Sequence, residues 1–192
     1  MAAMRVPGKG GELAELDELA LLRAQRGEAD ACRALVERYQ RPVFALLARL
    51  LGPRAAASVE DLAQETFLKA FRALPGFDRS GPARLSTWLL TIASRLAIDE
   101  LRRQGAPAEP IDEQLPDECA LGSFDRAGLR RALNKAAAEL SPEQRAAFLL
   151  REAHGLSYEE IAVALGLELG TVRSRLSRAR AALRMALEGE HG

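Results

Sequence analysis

Aromatic side chains are scarce in this 192-residue chain: one tryptophan, two tyrosines and six phenylalanines, 5% in all. Hydrophobic residues still reach 48%, which excludes a wholly disordered chain. Ala, Leu and Arg abound instead. With Glu they are strong helix formers, so the composition favours helices over sheets. Cysteine is nearly absent. Cys32 and Cys119 lie far apart and in no CxxC pattern. That excludes a disulfide framework and a zinc site, and it fits a reducing cytoplasm with inert thiols. The two histidines, His154 and His191, are isolated. No Ser/His/Asp set, metal cluster or phosphate-cradling glycine loop accompanies them, so neither an enzyme nor a cofactor is expected. No apolar run approaches the ~18 residues of a membrane span. The longest candidate, "VFALLARLL", is interrupted by Arg49. The opening "MAAMRVPGKGGELAE" lacks the apolar centre of a signal peptide and reads as a flexible tail. A cytoplasmic protein with no membrane insertion is the expectation.

Net charge is also absent, with 27 basic and 27 acidic residues, but the balance is local. Residues 20–105 carry 14 basic and 9 acidic side chains. Residues 106–125 carry six acidic and no basic ones, together with Pro107, Pro110 and Pro116 and no helical period. Residues 126–187 carry 11 basic and 6 acidic side chains. Two mildly basic blocks therefore flank an acidic linker. The expected organisation is all-α: a tail over 1–15, a helical domain over 16–105, the linker over 106–125, a second helical domain over 126–187 and a short tail over 188–192.

The second block is clearly punctuated. "SPEQ", Ser141 to Gln144, places Ser at an N-cap, Pro at the first helical position and Gln at the third. That helix should run to about Ala153 and stop at Gly155. "LSYEEI" repeats the device. Ser157 caps, Glu160 reaches back and Leu156 staples against Ile161, for a short helix from Tyr158 to Leu165 ended by Gly166. A third helix follows from about Glu168. Its apolar positions Val172, Leu176, Ala179 and Leu183 step by four, three and four and make one narrow stripe. Off the stripe lie Arg173, Ser174, Arg175, Ser177, Arg178, Arg180 and Arg184. A short capped helix, a glycine turn and a longer helix make a helix-turn-helix, whose second helix fits a major groove. An arginine-rich face is often mere solvated surface. Here, however, Glu is nearly absent from it, so i,i+4 pairs do not account for the arginines. Arginine suits both guanine edges and phosphates.

The first block shows helical spacing from Leu16 to Leu51, with a break at Gly27 and Pro42 at a kink or a first turn. "VEDLAQETFLKAFRAL" follows, with Val59, Leu62, Ala63, Thr66, Phe67, Ala70, Phe71 and Leu74 on one stripe. Asp61, Gln64, Glu65, Leu68, Lys69 and Arg72 lie opposite. An acidic first turn would suit the helix dipole. A loop, Pro75 to Ser86, leads into "TWLLTIASRLAIDELRRQ". In that helix Trp88, Leu89, Ile92 and Leu96 face the core, and Thr87, Thr91, Arg95, Ile98 and Arg102 lie toward another side.

"GLSYEEIAVALGLELGTVRSRLSRARAALR" resembles the minus-35 reading domain of bacterial sigma factors, most nearly the extracytoplasmic-function group. "EDLAQETFLKAF" is similar to the helix by which that family grips the largest polymerase subunit. "RLSTWLLTIASRLAIDELRR" is similar to its minus-10 helix. The loop before it resembles the one that captures a flipped base. The resemblance spans about Leu16–Gln104 and Arg126–Leu187. It implies core RNA polymerase and promoter DNA as partners, an anti-sigma factor as regulator, and no catalysis. By position it implies minus-35 contacts from Thr171, Arg173, Ser174, Arg175, Ser177 and Arg178. Minus-10 contacts fall to Asp78, Arg84, Ser86, Thr87, Arg95 and Arg102, and polymerase contacts to Asp61, Gln64, Glu65 and Leu68. Many relatives carry asparagine where this chain has Arg95, and an arginine there can hold a phosphate in place of a base. The competing reading is a free-standing helix-turn-helix regulator that dimerises through its N-terminal helices.

Overall fold

The computed structural model describes residues 15–52, 56–81, 83–104 and 140–188. The linker over 106–125, Cys119 and His191 lie outside them. The described residues form helices and short connections, with no strand among them. In chain order these are α1 (Glu18–Gln25), α2 (Ala29–Leu51), α3 (Ala56–Ala73), a 3-10 turn (Leu74–Gly76) and α4 (Leu85–Gln104). After the undescribed stretch come α5 (Pro142–Glu152), α6 (Tyr158–Leu165) and α7 (Leu169–Glu188).

Local chemistry sets most of these ends. Asp17 caps α1 by accepting from the Ala20 N–H at 2.9 Å. Gly27, at φ +79°, turns the chain into α2, where a side chain would be strained. Pro42 lies inside α2 rather than at a start, removing one internal N–H from a helix of 23 residues. Both capping boxes form as the sequence predicts. Ser141 accepts from the Gln144 N–H at 3.3 Å, and the Gln144 side chain accepts from the Ser141 N–H at 2.9 Å. Ser157 and Glu160 exchange the same pair at 3.1 and 2.7 Å. Gly166 closes α6 in the left-handed region, φ +64°.

Helix α2 is the spine of the first domain. Leu35, Tyr39, Val43, Leu46, Leu47 and Leu50 are buried along it against α3 and α4. The α3 stripe packs as read from the sequence, with only Phe71 left partly exposed. Thr66 is fully buried within that stripe, and its hydroxyl is satisfied by donating to the Leu62 carbonyl at 2.7 Å.

Helix α4 differs from the expectation. Its deepest residues are Leu85, Leu89, Leu90, Ala93, Ala97 and Leu101, whereas Trp88, Ile92 and Leu96 are only partly buried. Trp88 sits at the margin, its ring 5.1 Å from that of Phe77. Of the side read as separate, Thr87, Thr91 and Ile98 are buried too, while Arg95 and Arg102 are exposed. The reason is that α5 and α6 of the second domain pack against α4. One apolar cluster runs from Leu21 through α4 to Leu176 of α7. At its centre Arg145 is 1% exposed and donates from Nη1 to the Leu50 carbonyl at 3.0 Å. That places a cation on the negative end of α2 and meets one of its unpaired carbonyls.

His154, in the α5–α6 connection, has its Nε2 withdrawn from solvent with no hydrogen-bond partner. Burial, helped by the charge of Arg49 on α2, pushes its pKa down from 6.5 to about 4. The folded chain thus keeps His154 neutral while the unfolded chain protonates it below pH 6.5. Its cost to stability is nil above that pH and grows as the pH falls toward 4, by up to about 3 kcal/mol. Urea unfolding from pH 7.5 down to 4 should show this loss in the parent, and His154→Gln should remove that part of the slope. Parallel profiles for the two proteins would mean that the imidazole is solvated.

Candidate nucleic-acid and partner interfaces

Three surfaces carry the residues singled out by the sequence. The first is on α7. Val172, Leu176 and Ala179 are fully buried and Leu183 nearly so, which fixes the rotation of the helix. Arg173, Ser174, Ser177, Arg178, Arg180 and Arg184 then face solvent. Arg173, Ser177, Arg180 and Arg184, with Tyr158 and Ala181, line an open groove of about 410 Å³. Arg173 and Arg178 have no ion pair among the described residues. Arg180 does: it donates to Glu152 at 2.9 Å and to the Tyr158 hydroxyl at 3.2 Å, tying α7 to α5 and α6. These bonds, led by that to Glu152, raise its pKa and keep it a cation.

Two members of the predicted set are withdrawn from that face. Thr171 is partly buried and its carbonyl accepts from the Ser174 hydroxyl at 2.9 Å. Arg175 is also partly buried, with Nη1 out of solvent and unpartnered. Removing a guanidinium nitrogen from water without a partner is costly, so Arg175 is the least settled cation on the helix.

The second surface is on α3. Asp61, Gln64, Glu65 and Leu68 stand at i, i+3, i+4 and i+7, on one exposed face. Leu68 is 53% exposed beside the Glu65–Lys69 pair at 3.0 Å. The expected acidic first turn is absent, because α3 begins at Ala56, before Val59. Asp61 and Glu65 are thus the sixth and tenth residues of α3, beyond the turn in which the helix dipole acts. Dipole stabilisation does not explain them.

The third surface, along α4 and the loop before it, is largely occupied. Asp78 accepts from the Ser80 N–H and hydroxyl at 2.9 and 2.7 Å, which lowers its pKa and tightens the loop. Arg84 is partly exposed at the start of α4. The Ser86 hydroxyl and N–H both donate to Glu15, whose carboxylate also accepts from the Tyr39 hydroxyl. Thr87 donates to Glu160 of α6 at 3.1 Å. Arg95 donates to the Ala164 and Val163 carbonyls at 3.0 and 3.1 Å, and Arg102 donates to Glu143 of α5 at 2.6 Å. Burial pulls the Glu143 carboxyl upward, but its own N–H and Arg102 outweigh this and leave it below the ordinary value.

Sequence reasoning missed Glu15, Glu143 and Arg145 as participants, and it read Glu160 as a cap alone. Only Arg145 carried a local signal, an arginine beside the apolar "AAFLL". Among the described residues no group of three or more His, Cys, Asp or Glu is placed to hold a metal.

The family model for Sigma-70 region 2 matches residues 35–106, and that for Sigma-70 region 4 matches residues 130–183. The chain is 36% identical over 189 residues to the RNA polymerase sigma-H factor of Pseudomonas aeruginosa, covering 91% of this chain and 95% of that one. It is 36% identical over 180 residues to the ECF RNA polymerase sigma-E factor of Escherichia coli K12, covering 87% and 92%. Among solved structures it is similar to CnrH in complex with the cytosolic domain of CnrY, with 27% identity, a TM-score of 0.61, and 90% and 97% coverage. It is also similar to the sigma factor RpoE in complex with the anti-sigma factor NepR from Bartonella quintana, with 31% identity, a TM-score of 0.58, and 77% and 91% coverage.

If the α3 face does not support the fold, a combined Asp61→Ala, Gln64→Ala and Glu65→Ala variant should melt within about 2 °C of the parent by circular dichroism. Only one exposed i,i+4 pair is lost, on the order of 0.3–0.5 kcal/mol. A larger drop would make these residues structural.

Proposed function

The chain belongs to the extracytoplasmic-function sigma factors of bacterial RNA polymerase, and we propose that its three surfaces divide promoter selection among them. As a sigma factor it binds core RNA polymerase and directs initiation at chosen promoters through their minus-10 and minus-35 elements. The polymerase supplies the catalysis.

Asp61, Gln64, Glu65 and Leu68 on α3 dock on the core enzyme. An exposed leucine among carboxylates is the chemistry of a partner surface, apolar at its centre and polar at its rim. Arg173, Ser174, Ser177 and Arg178 of α7 enter the minus-35 major groove, with Thr171 and Arg175 at the edge. Arg180 and Arg184 steady the phosphate side. Asp78, Arg84, Ser86, Thr87, Arg95 and Arg102 handle the minus-10 element, where trapping an unstacked base offsets part of the cost of opening the duplex. The observation that carries this reading is on α7. A fully buried apolar stripe turns Arg173 and Arg178 outward, behind a capped helix and a left-handed glycine turn.

Two solved relatives are held in complexes, one with CnrY and one with the anti-sigma factor NepR. By that likeness an anti-sigma factor controls this chain as well. No described helix is long and apolar enough to cross a membrane, and the protein works in the cytoplasm beside the polymerase. A neutral chain binds naked DNA weakly. Promoter reading therefore gains from the polymerase, which raises the effective concentration of both readers.

Run-off transcription with bacterial core polymerase on genomic fragments tests the reading and identifies the promoters. The parent should give discrete transcripts, and Arg173→Ala with Arg178→Ala should lose minus-35-dependent ones while still co-eluting with core. Transcripts that survive the double change would move recognition to another face. The combined α3 variant should bind core at least about tenfold more weakly. Unchanged affinity would return that face to ordinary solvated surface. Operator binding as a dimer, with no association with core, would favour the free-standing regulator.

A further inference from the structure

The loop between α3 and α4 leads through Asp78 and Arg84 to Ser86, three of the residues proposed for the minus-10 element. Its tip, Asp78 to Ser80, is exposed and folds on itself. Asp78 accepts from the Ser80 N–H and hydroxyl at 2.9 and 2.7 Å, and its carbonyl accepts from the Gly81 N–H at 3.3 Å. A Cβ on Gly81 would stand 3.1 Å from that carbonyl, so a side chain there would crowd the turn. These bonds fix the shape of the tip. They do not fix where it stands relative to α4.

That position is set from α1. The Gln25 side-chain amide donates to the Leu74 carbonyl at 3.1 Å and to the Phe77 carbonyl at 2.9 Å, from 49 and 52 residues away. Both partners only accept, so the orientation of the amide is fixed and both of its N–H donors are used. The Leu74 carbonyl also accepts from the Phe77 N–H at 3.0 Å, so Gln25 grips the 3-10 turn at the bond that closes it. Phe77 is the post on which the tip stands, its ring 5.1 Å from that of Trp88 on α4. Where the loop enters α4, Glu15 accepts from the Ser86 hydroxyl and N–H and from the buried Tyr39 hydroxyl. Glu18 meets Arg79 at 3.0 Å, a pair exposed on the Glu18 side and of small value. Both ends of the loop thus fasten to one helix and its lead-in. Helix α1 has only eight residues, too few to be stable alone, and buried Leu21 and Ala24 seat it on the core.

We propose that Gln25 is a positioning residue for the minus-10 reader: its two hydrogen bonds hold the loop tip where an unstacked base is received. Gln25 acts through Leu74 and Phe77 and has no N–H left for a base. Without those bonds the two carbonyls turn to water, and the tip keeps its turn but loses its place. A pocket with a movable wall accepts more than one base, so discrimination is lost before rate. The minus-10 role rests on the sigma-factor reading, but the hold of Gln25 on the loop does not.

The test compares the full-length parent with Gln25→Glu, Gln25→Leu and Gln25→Lys, each checked for helicity by circular dichroism. Glutamate keeps the shape and leucine the bulk, but both lose the donors; lysine restores a donor for each carbonyl. Trp88 is the only tryptophan and reports on the post. In the free chain, Gln25→Glu and Gln25→Leu should raise acrylamide quenching of its emission at least about twofold, as the loop base opens. Run-off transcription with core polymerase then uses the promoters that the parent selects, and the same promoters with single-base minus-10 changes. The two loss variants should lower the preference for the parental base at least about fivefold, the worth of one hydrogen bond, with core affinity unchanged. Gln25→Lys should recover most of both effects. Quenching unmoved in the loss variants would overturn the hold on the loop. Greater quenching with preference intact, or an equal loss of transcription on every minus-10 sequence, would overturn the positioning role. If the parent gives no transcript with core, the sigma-factor reading falls and the minus-10 role with it, while the quenching still decides the hold.

Discussion

A helix leaves its first N–H groups and last carbonyls without internal partners, and in an all-helical chain each end must find them elsewhere. This requirement organises the molecule at every scale. Asp17, Ser141 and Ser157 meet it within a turn of their own helix. Glu15 meets it at the start of α4, on the Ser86 N–H. Arg145 and Arg95 meet it across domains, at the carboxyl ends of α2 and α6. Two of these caps, Arg145 and Arg95, therefore also fasten one domain to the other. A cap placed on another domain's helix makes that helix's integrity and the domain contact one event.

The same division explains what the sequence reveals. Ser141–Gln144 and Ser157–Glu160 are separated by three residues, so their caps and the helices they start can be read locally. The α7 stripe is equally plain, because only one side of that helix is covered and its period survives. Helix α4 is covered on two sides, by α2 and α3 and then by α5 and α6. Its one-sided pattern is lost. Trp88, Ile92 and Leu96 look like the core while Ala93 and Ala97 occupy it. The start of α3 is hidden for another reason: Ala56 and Ala57 carry no cap signal. The partners of Arg95 and Arg145 lie 68–69 and 95 residues away, where no periodicity reaches.

Charge follows the same logic. The chain's zero sum conceals arginines in different states. Arg23, Arg79 and Arg180 are held by carboxylates, and exposed pairs of this kind contribute little to stability. Arg145 is buried against a helix end. Arg173 and Arg178 remain outward on a helix that its apolar stripe already anchors. Their presence has no structural explanation of similar strength. A cation without a structural partner on a rotationally fixed helix is free to keep its affinity for an external anion, which is what a DNA reader requires.

The domain contact combines an apolar centre with polar fastenings, and this limits how strong it can be. Leu149, Leu150, Ile161 and Ala164 join the α4 side of the core and supply most of the cohesion. The fastenings are uneven. Arg102–Glu143 is solvent-exposed on the arginine side and adds little. Arg145, wholly buried, is expensive to uncover unless water or another acceptor replaces Leu50. Arg95 lies between these extremes: it is exposed, and its donors meet the Ala164 carbonyl and the Val163 carbonyl, which also accepts from the Gly166 N–H at 3.3 Å. Opening the contact at Arg95 trades two protein hydrogen bonds for contacts with water or phosphate, at a net cost far below that of exposing the core.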